Sequence, residues 1–122
     1  MEKEKLRSRS YRDLEVWKLS IELVKEIYRI TNEFPVSELY GLTNQVRRAA
    51  VSIPANIAEG QARSSPKEFK QFLSVAFGSA AELETHLIIS KEVNYLSTEI
   101  FEYLMEILER IMKMVKGLSS KI

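Results

Sequence analysis

Phe101-Glu102-Tyr103-Leu104-Met105-Glu106-Ile107-Leu108-Glu109-Arg110-Ile111-Met112-Lys113-Met114-Val115 decides the fold class of this chain. Phe101, Leu104, Leu108, Ile111 and Val115, continued by Leu118, recur at alternating steps of three and four residues. That spacing turns one seam of an α-helix toward a partner, whereas a half-buried strand alternates at every second residue. Glu99, Glu102 and Glu106 precede Arg110, Lys113 and Lys116, so each charge set opposes the nearer end of the helix dipole. Ile100, Met105, Ile107, Met112 and Met114 widen the apolar arc beyond one seam, and the helix is expected to follow Ser97-Thr98.

Three more helices are legible upstream. Ser65, Pro66 and Glu68 make a capping box, with Ser65 as N-cap and Pro66 at the first helical position. This third helix carries Phe69, Phe72, Leu73, Ala76, Ala80, Leu83 and Leu87 and is expected to stop near Asn94. Its middle, Ala76, Gly78, Ser79, Ala80 and Ala81, is small. A helical glycine costs about 1 kcal/mol relative to alanine, so close approach of a neighbouring helix is the expected reason for Gly78. The second helix begins at Leu42 or Thr43, with Thr43 as N-cap, and runs through Val46, Ala49, Ala50, Ile53 and Ile57 to about Glu59. Pro54 lies inside it and is expected to kink it by removing the bond to the Ala50 carbonyl. The first helix, residues 13–32, has stripes of Leu14, Trp17, Ile21, Val24 and Tyr28 and of Val16, Leu23, Ile27 and Ile30. Glu15, Lys18, Glu22, Lys25 and Arg29 fill its outer face, with Lys18–Glu22 and Glu26–Arg29 as expected pairs, and Phe34-Pro35 ends it.

Four helices joined by short connections predict an all-α, antiparallel up-and-down four-helix bundle over residues 13–122, preceded by a basic tail, residues 1–12. The first and fourth helices carry more apolar surface than one core needs, which predicts a homo-oligomer.

Composition narrows the chemistry. The chain has 122 residues, one histidine and no cysteine, which removes disulfides, thiolate metal sites and thiol nucleophiles. The N-terminal segment is charged, without an apolar leader core, and no later apolar run is expected to span a bilayer, so the expectation is a cytoplasmic protein with no membrane partner. A di-iron bundle needs Glu-x-x-His pairs, yet Leu83 stands three residues before His86. Glu82 and His86 share a face, but one histidine and one carboxylate do not make a transition-metal site. The single aspartate, Asp13, is far from His86 in sequence, and there is no glycine-rich phosphate loop. The expectation is a non-enzyme with no cofactor.

Polar residues form a second pattern. Gln45, Arg48, Ser52, Asn56, Glu59 and Arg63 recur at three- and four-residue steps along the second helix. Ser52 and Asn56 are poor helix formers. The structural reading has them bonding backbone near Pro54 while Glu59 pairs with Arg63; the competing reading is a ligand stripe. Basic charge is segregated as well. Lys3, Lys5, Arg7, Arg9 and Arg12 face only Glu2 and Glu4 in the tail, and Arg47, Arg48, Arg63, Lys67 and Lys70 face only Glu59 and Glu68 between residues 39 and 81. The net charge of the whole chain is +1, so the remainder is acidic. Two such zones suit phosphate neutralisation on RNA or DNA, and an oligomer multiplies them.

The string Arg47-Arg48-Ala49-Ala50-Val51-Ser52-Ile53-Pro54-Ala55-Asn56-Ile57-Ala58-Glu59-Gly60, with Tyr40-Gly41-Leu42-Thr43-Asn44-Gln45-Val46 before it, resembles the signature of the S23-type family encoded in intervening sequences of 23S rRNA genes. Arg12-Asp13-Leu14-Glu15-Val16-Trp17 is similar to that family's opening, and Phe72-Leu73 with Ala76, Gly78, Ser79, Glu82, Leu83 and Glu84 to its third helix. Ala62 and Ala80 stand where the family pattern has glycine and leucine. The resemblance implies an antiparallel four-helix bundle in a ring-like homopentamer with no established enzymatic activity. It also implies kinship to the accessory variability protein of diversity-generating retroelements, which binds nucleic acid and a reverse transcriptase. The expected function is therefore RNA or DNA binding through Arg47, Arg48, Arg63, Lys67, Lys70 and the tail residues Arg7, Arg9 and Arg12. The alternative is a scaffold that docks a protein partner.

Overall fold

Apolar residues at helical spacing build four helices in the computed structural model, which describes residues 10–122. They are α1 (Glu15–Thr31), α2 (Leu42–Ala62), α3 (Pro66–Glu92) and α4 (Thr98–Ser120), with 3-10 turns at Tyr11–Asp13 and Val36–Glu38. No strand occurs among the described residues. Each helix packs on the next and α4 closes back on α1, giving an up-and-down four-helix bundle. Leu23 and Ile27 of α1, Ile53 and Ile57 of α2, Leu73, Leu83 and Leu87 of α3, and Leu104, Leu108 and Ile111 of α4 fill the centre at 0–1% exposure. Burying each such side chain contributes about 1.5–3 kcal/mol.

Helix boundaries follow local chemistry. Ser65 Oγ accepts the Glu68 N–H at 3.3 Å and Ser97 Oγ the Ile100 N–H at 3.1 Å, so α3 and α4 start at serine caps. Thr43 is not the cap of α2: it lies inside the helix, buried, with Oγ1 unpartnered. The cap comes from Glu38, whose Oε1 accepts the Leu42 N–H at 3.2 Å. That carboxylate would lie 2.7 Å from a Cβ at position 41, so a side chain there would displace it from the cap. α2 runs unbroken through the buried Pro54. Asn94, in the left-handed region at φ 66°, turns the chain out of α3. On α1 the Glu26–Arg29 pair forms at 2.9 Å, but Lys18 pairs with Glu15 at 3.4 Å rather than with Glu22.

The closest helix contact is between α2 and α3. Ala49, Ala76, Ser79 and Ala80 are buried, and a Cβ at Gly60 would fall 2.6 Å from the Phe72 Cβ. Gly78 is not part of this seam, since a Cβ there would meet nothing within 4 Å. At the opposite end α1 stops level with Arg47, which bonds Thr31 and Asn32. Arg47 lies five residues, about 7.5 Å of helix, inside the start of α2. The α1–α2 connection fills that gap with the buried Phe34, whose ring lies 5.5 Å from that of Tyr95.

The excess apolar surface expected on α1 and α4 is largely accounted for within one chain: Trp17, Leu19, Val24, Ile107, Met112 and Met114 pack against the core. Exposed apolar residues remain on α1 (Tyr28) and α4 (Ile100, Tyr103), and others lie on the α1–α2 connection (Val36, Leu39, Tyr40) and on α3 (Val75, Ile88, Ile89). By length and composition α3 could cross a membrane, contrary to the expectation that no run would; in the bundle it buries Leu73, Leu83 and Leu87.

Candidate nucleic-acid interface

The cations singled out in the sequence fall into two groups at opposite ends of α2. Fifteen residues separate Arg48 from Arg63, about 22 Å along a helix axis. Within each group some are occupied and some are free.

Arg47 is occupied. Its Nε donates to Thr31 Oγ1 at 2.9 Å and its Nη2 to Asn32 Oδ1 at 3.2 Å, and the guanidinium lies 4.7 Å from the Tyr28 ring centroid. It ties α2 to the end of α1. Arg63 is occupied too: Nη2 meets Glu59 Oε2 at 2.8 Å, Nη1 meets Glu68 Oε1 at 3.5 Å, and the group lies 5.2 Å from the Phe72 ring centroid. The bond to Glu59 raises the Arg63 pKa. This arginine straps the α2–α3 turn.

Arg48, Lys67 and Lys70 are exposed and have no side-chain partner among the described residues, and the same holds for the Arg12 guanidinium. Arg7 and Arg9 lie outside the described residues. The turn at Tyr11–Asp13 packs on α2, and Ser10 and Tyr11 line a cavity of about 590 Å³ with Gly60, Ser64, Ser65 and Phe69. The start of the described chain, with Arg12, is thereby brought to the end of the bundle that carries Arg63, Lys67 and Lys70. Sequence separation concealed this juxtaposition.

The polar stripe divides in the same way. Asn56 Nδ2 donates to the Ser52 carbonyl at 2.8 Å and to Ser52 Oγ at 2.9 Å, and Ser52 Oγ shares a 2.7 Å bond with Ser79 Oγ on α3. Ser52 and Asn56 thus form a polar clasp in the tight α2–α3 seam, and Glu59 holds Arg63. Gln45 is exposed and faces a cleft of about 500 Å³ with Tyr40, Asn44, Arg48 and Glu82. A second cleft, of about 540 Å³, lies on the other side of Arg48 and is lined by Tyr28, Leu39, Tyr40, Asn44, Arg47 and Val51 among others. It holds two guanidiniums and no carboxylate.

Sequence reading had not selected Tyr28 or Tyr40 for this site. Tyr28 counted as core but is 43% exposed beneath Arg47, and Tyr40 is 92% exposed. For Tyr40 the available signal was an aromatic on a connection, outside every apolar stripe. His86 is half-buried, with Nδ1 unpartnered and Nε2 3.6 Å from Glu82 Oε2. Among the described residues no three histidine or acidic side chains converge on a metal position.

These features define an all-α four-helix bundle with a polar clasp between its second and third helices. The chain belongs to the 23S rRNA-intervening sequence protein family, whose pattern matches residues 12–117. A crystal structure of a protein of unknown function from the S23 ribosomal protein family of Bacteroides thetaiotaomicron VPI-5482 is similar, with a TM-score of 0.78 and 25% identity. The match covers 85% of this chain and 97% of that one. No curated protein matches the sequence.

Proposed function

We propose that this protein is a non-catalytic, cytoplasmic homo-oligomer, a pentamer, that binds RNA or DNA through Arg12, Lys67, Lys70, Arg48 and the basic tail. One observation carries the reading: unpaired Arg12, Lys67 and Lys70 stand at one end of the bundle, where the tail joins it. Assembly would repeat that cationic end once per subunit, which favours phosphate contacts with little base preference. Arg47 and Arg63 contribute positive potential, while their geometry serves the fold.

Binding of labelled RNA and DNA across a salt series tests this. Affinity should fall steeply between about 50 and 200 mM salt, and alanine at Arg12, Lys67 and Lys70 together should flatten the slope by about 0.7–0.9 per lost phosphate contact. No binding at about 50 mM salt, or binding insensitive to salt, refutes the reading. Light scattering that finds a monomer at micromolar concentration refutes the oligomer.

A scaffold that docks a protein partner is the second reading. It is favoured by Val36, which is 88% exposed beside Leu39 and Tyr40 on the α1–α2 connection.

A further inference from the structure

We propose that the cleft beside Tyr40 is a base-stacking subsite for single-stranded nucleic acid: one base lies on the Tyr40 ring and Arg48 holds the adjoining phosphate. This rests on the nucleic-acid reading above and adds the form of the ligand.

Tyr40 is 92% exposed, so both faces of its ring are open. A tyrosine so placed recovers almost no burial within its own chain, while a stacked base covers it and keeps the hydroxyl in water. Arg48, on the same cleft, is the unpaired arginine of the pair; Arg47 is held by Thr31, Asn32 and the Tyr28 ring. The volume of about 540 Å³ lies within the roughly 300–1,000 Å³ of small-ligand clefts, ample for one base. Asn44 lines it with a side-chain amide that has no partner among the described residues and can bond a base edge.

Charge sets the direction of the strand. The neighbouring cleft beyond Arg48 contains Glu82, which repels phosphate, whereas the Tyr28 side contains no acid. The phosphate therefore sits between Arg48 and Arg47. Paired, stacked bases of a duplex do not present a face to an isolated tyrosine, so the cleft selects single strands. An apolar protein segment docked there would desolvate Arg48 without offering it a carboxylate.

The test uses the full chain and two probes at about 50 mM salt: a labelled oligouridylate of about twelve nucleotides and a DNA duplex of similar length. Tyr40→Ala should weaken oligouridylate binding about fivefold or more and change duplex binding less than about twofold, and Tyr40→Phe should restore it. Arg48→Ala should weaken single-strand binding and lower its salt slope. Circular dichroism and sedimentation of Tyr40→Ala should match those of the parent. If Tyr40→Ala leaves both probes unchanged while the parent binds them, the stacking subsite is refuted and the basic-end reading stands. If the parent binds neither probe, both fall. If Tyr40→Ala breaks the oligomer, Tyr40 is a contact between copies of the chain and the subsite is refuted.

Discussion

The Tyr95 hydroxyl donates to Glu38 Oε2 at 2.9 Å, joining two connections that lie 57 residues apart in sequence. The other oxygen of the same carboxylate caps α2 at Leu42. One side chain thus fixes the start of α2 and pins it to the turn after α3. Glu38→Ala is expected to lower stability by about 1 kcal/mol through loss of the cap, measured by urea unfolding. Tyr95→Phe should have a smaller effect, because the cap survives it. The bond to Glu38 raises the Tyr95 pKa above its ordinary 10.0. Its stabilisation is therefore complete below pH 10 and is lost as pH rises through the raised value, so Tyr95→Phe and parent should converge in stability in strong alkali.

Glu26 makes the corresponding link between α1 and α4. It accepts from Arg29 at 2.9 and 3.1 Å and from the Tyr103 hydroxyl at 2.8 Å. These bonds, that of Arg29 foremost, lower its pKa from 4.5 to about 2. A depressed carboxylate stabilises the fold above its unfolded pKa and ceases to do so as pH falls through the folded one. Solvent screening of the exposed Arg29 reduces the contribution to about 1 kcal/mol at neutral pH. Glu26→Gln should be less stable than the parent by that amount at pH 7, with the gap closing as pH falls from 4.5 toward 2.

Two glycines should respond oppositely to alanine. At Gly60 the new Cβ meets Phe72 Cβ at 2.6 Å, and overpacking of about 1–3 kcal/mol outweighs any gain in helix propensity. At Gly78 nothing lies within 4 Å, so alanine should stabilise an isolated chain by about 0.5–1 kcal/mol. Denaturant midpoints of the two variants check both signs. Loss of assembly in Gly78→Ala would place a neighbouring subunit against that face.

The paired arginines should separate in the same assay. Arg47→Ala removes two hydrogen bonds and a ring contact and should cost about 1 kcal/mol. Arg48→Ala should stay within about 0.5 kcal/mol of the parent, as expected for an exposed, unpaired side chain.

Helical periodicity made the four helices and most of the core legible, and Ser65 and Ser97 announced two helix starts directly. Local rules failed where a distant side chain supplied the local need. Thr43 had the chemistry of a cap, but Glu38 reached the helix end first from the preceding turn. The charge count located the basic residues without their occupancy: it weighs Arg47, bound to Thr31 sixteen residues earlier, the same as its free neighbour Arg48. Small residues on α3 were read as one packing surface, whereas helical rotation puts Ala76, Ser79 and Ala80 inside and Gly78 and Ala81 outside. Proximity of the Tyr11–Asp13 turn to α2 is a product of bundle closure, which no local pattern encodes.

Because α1 ends early, one corner of the bundle is completed by loop rather than by helix. Phe34 keeps that corner closed from within, and the exposed Val36 and Tyr40 have little part in doing so. Side-chain changes at Val36 and Tyr40 should therefore leave the packing of the four helices unaltered.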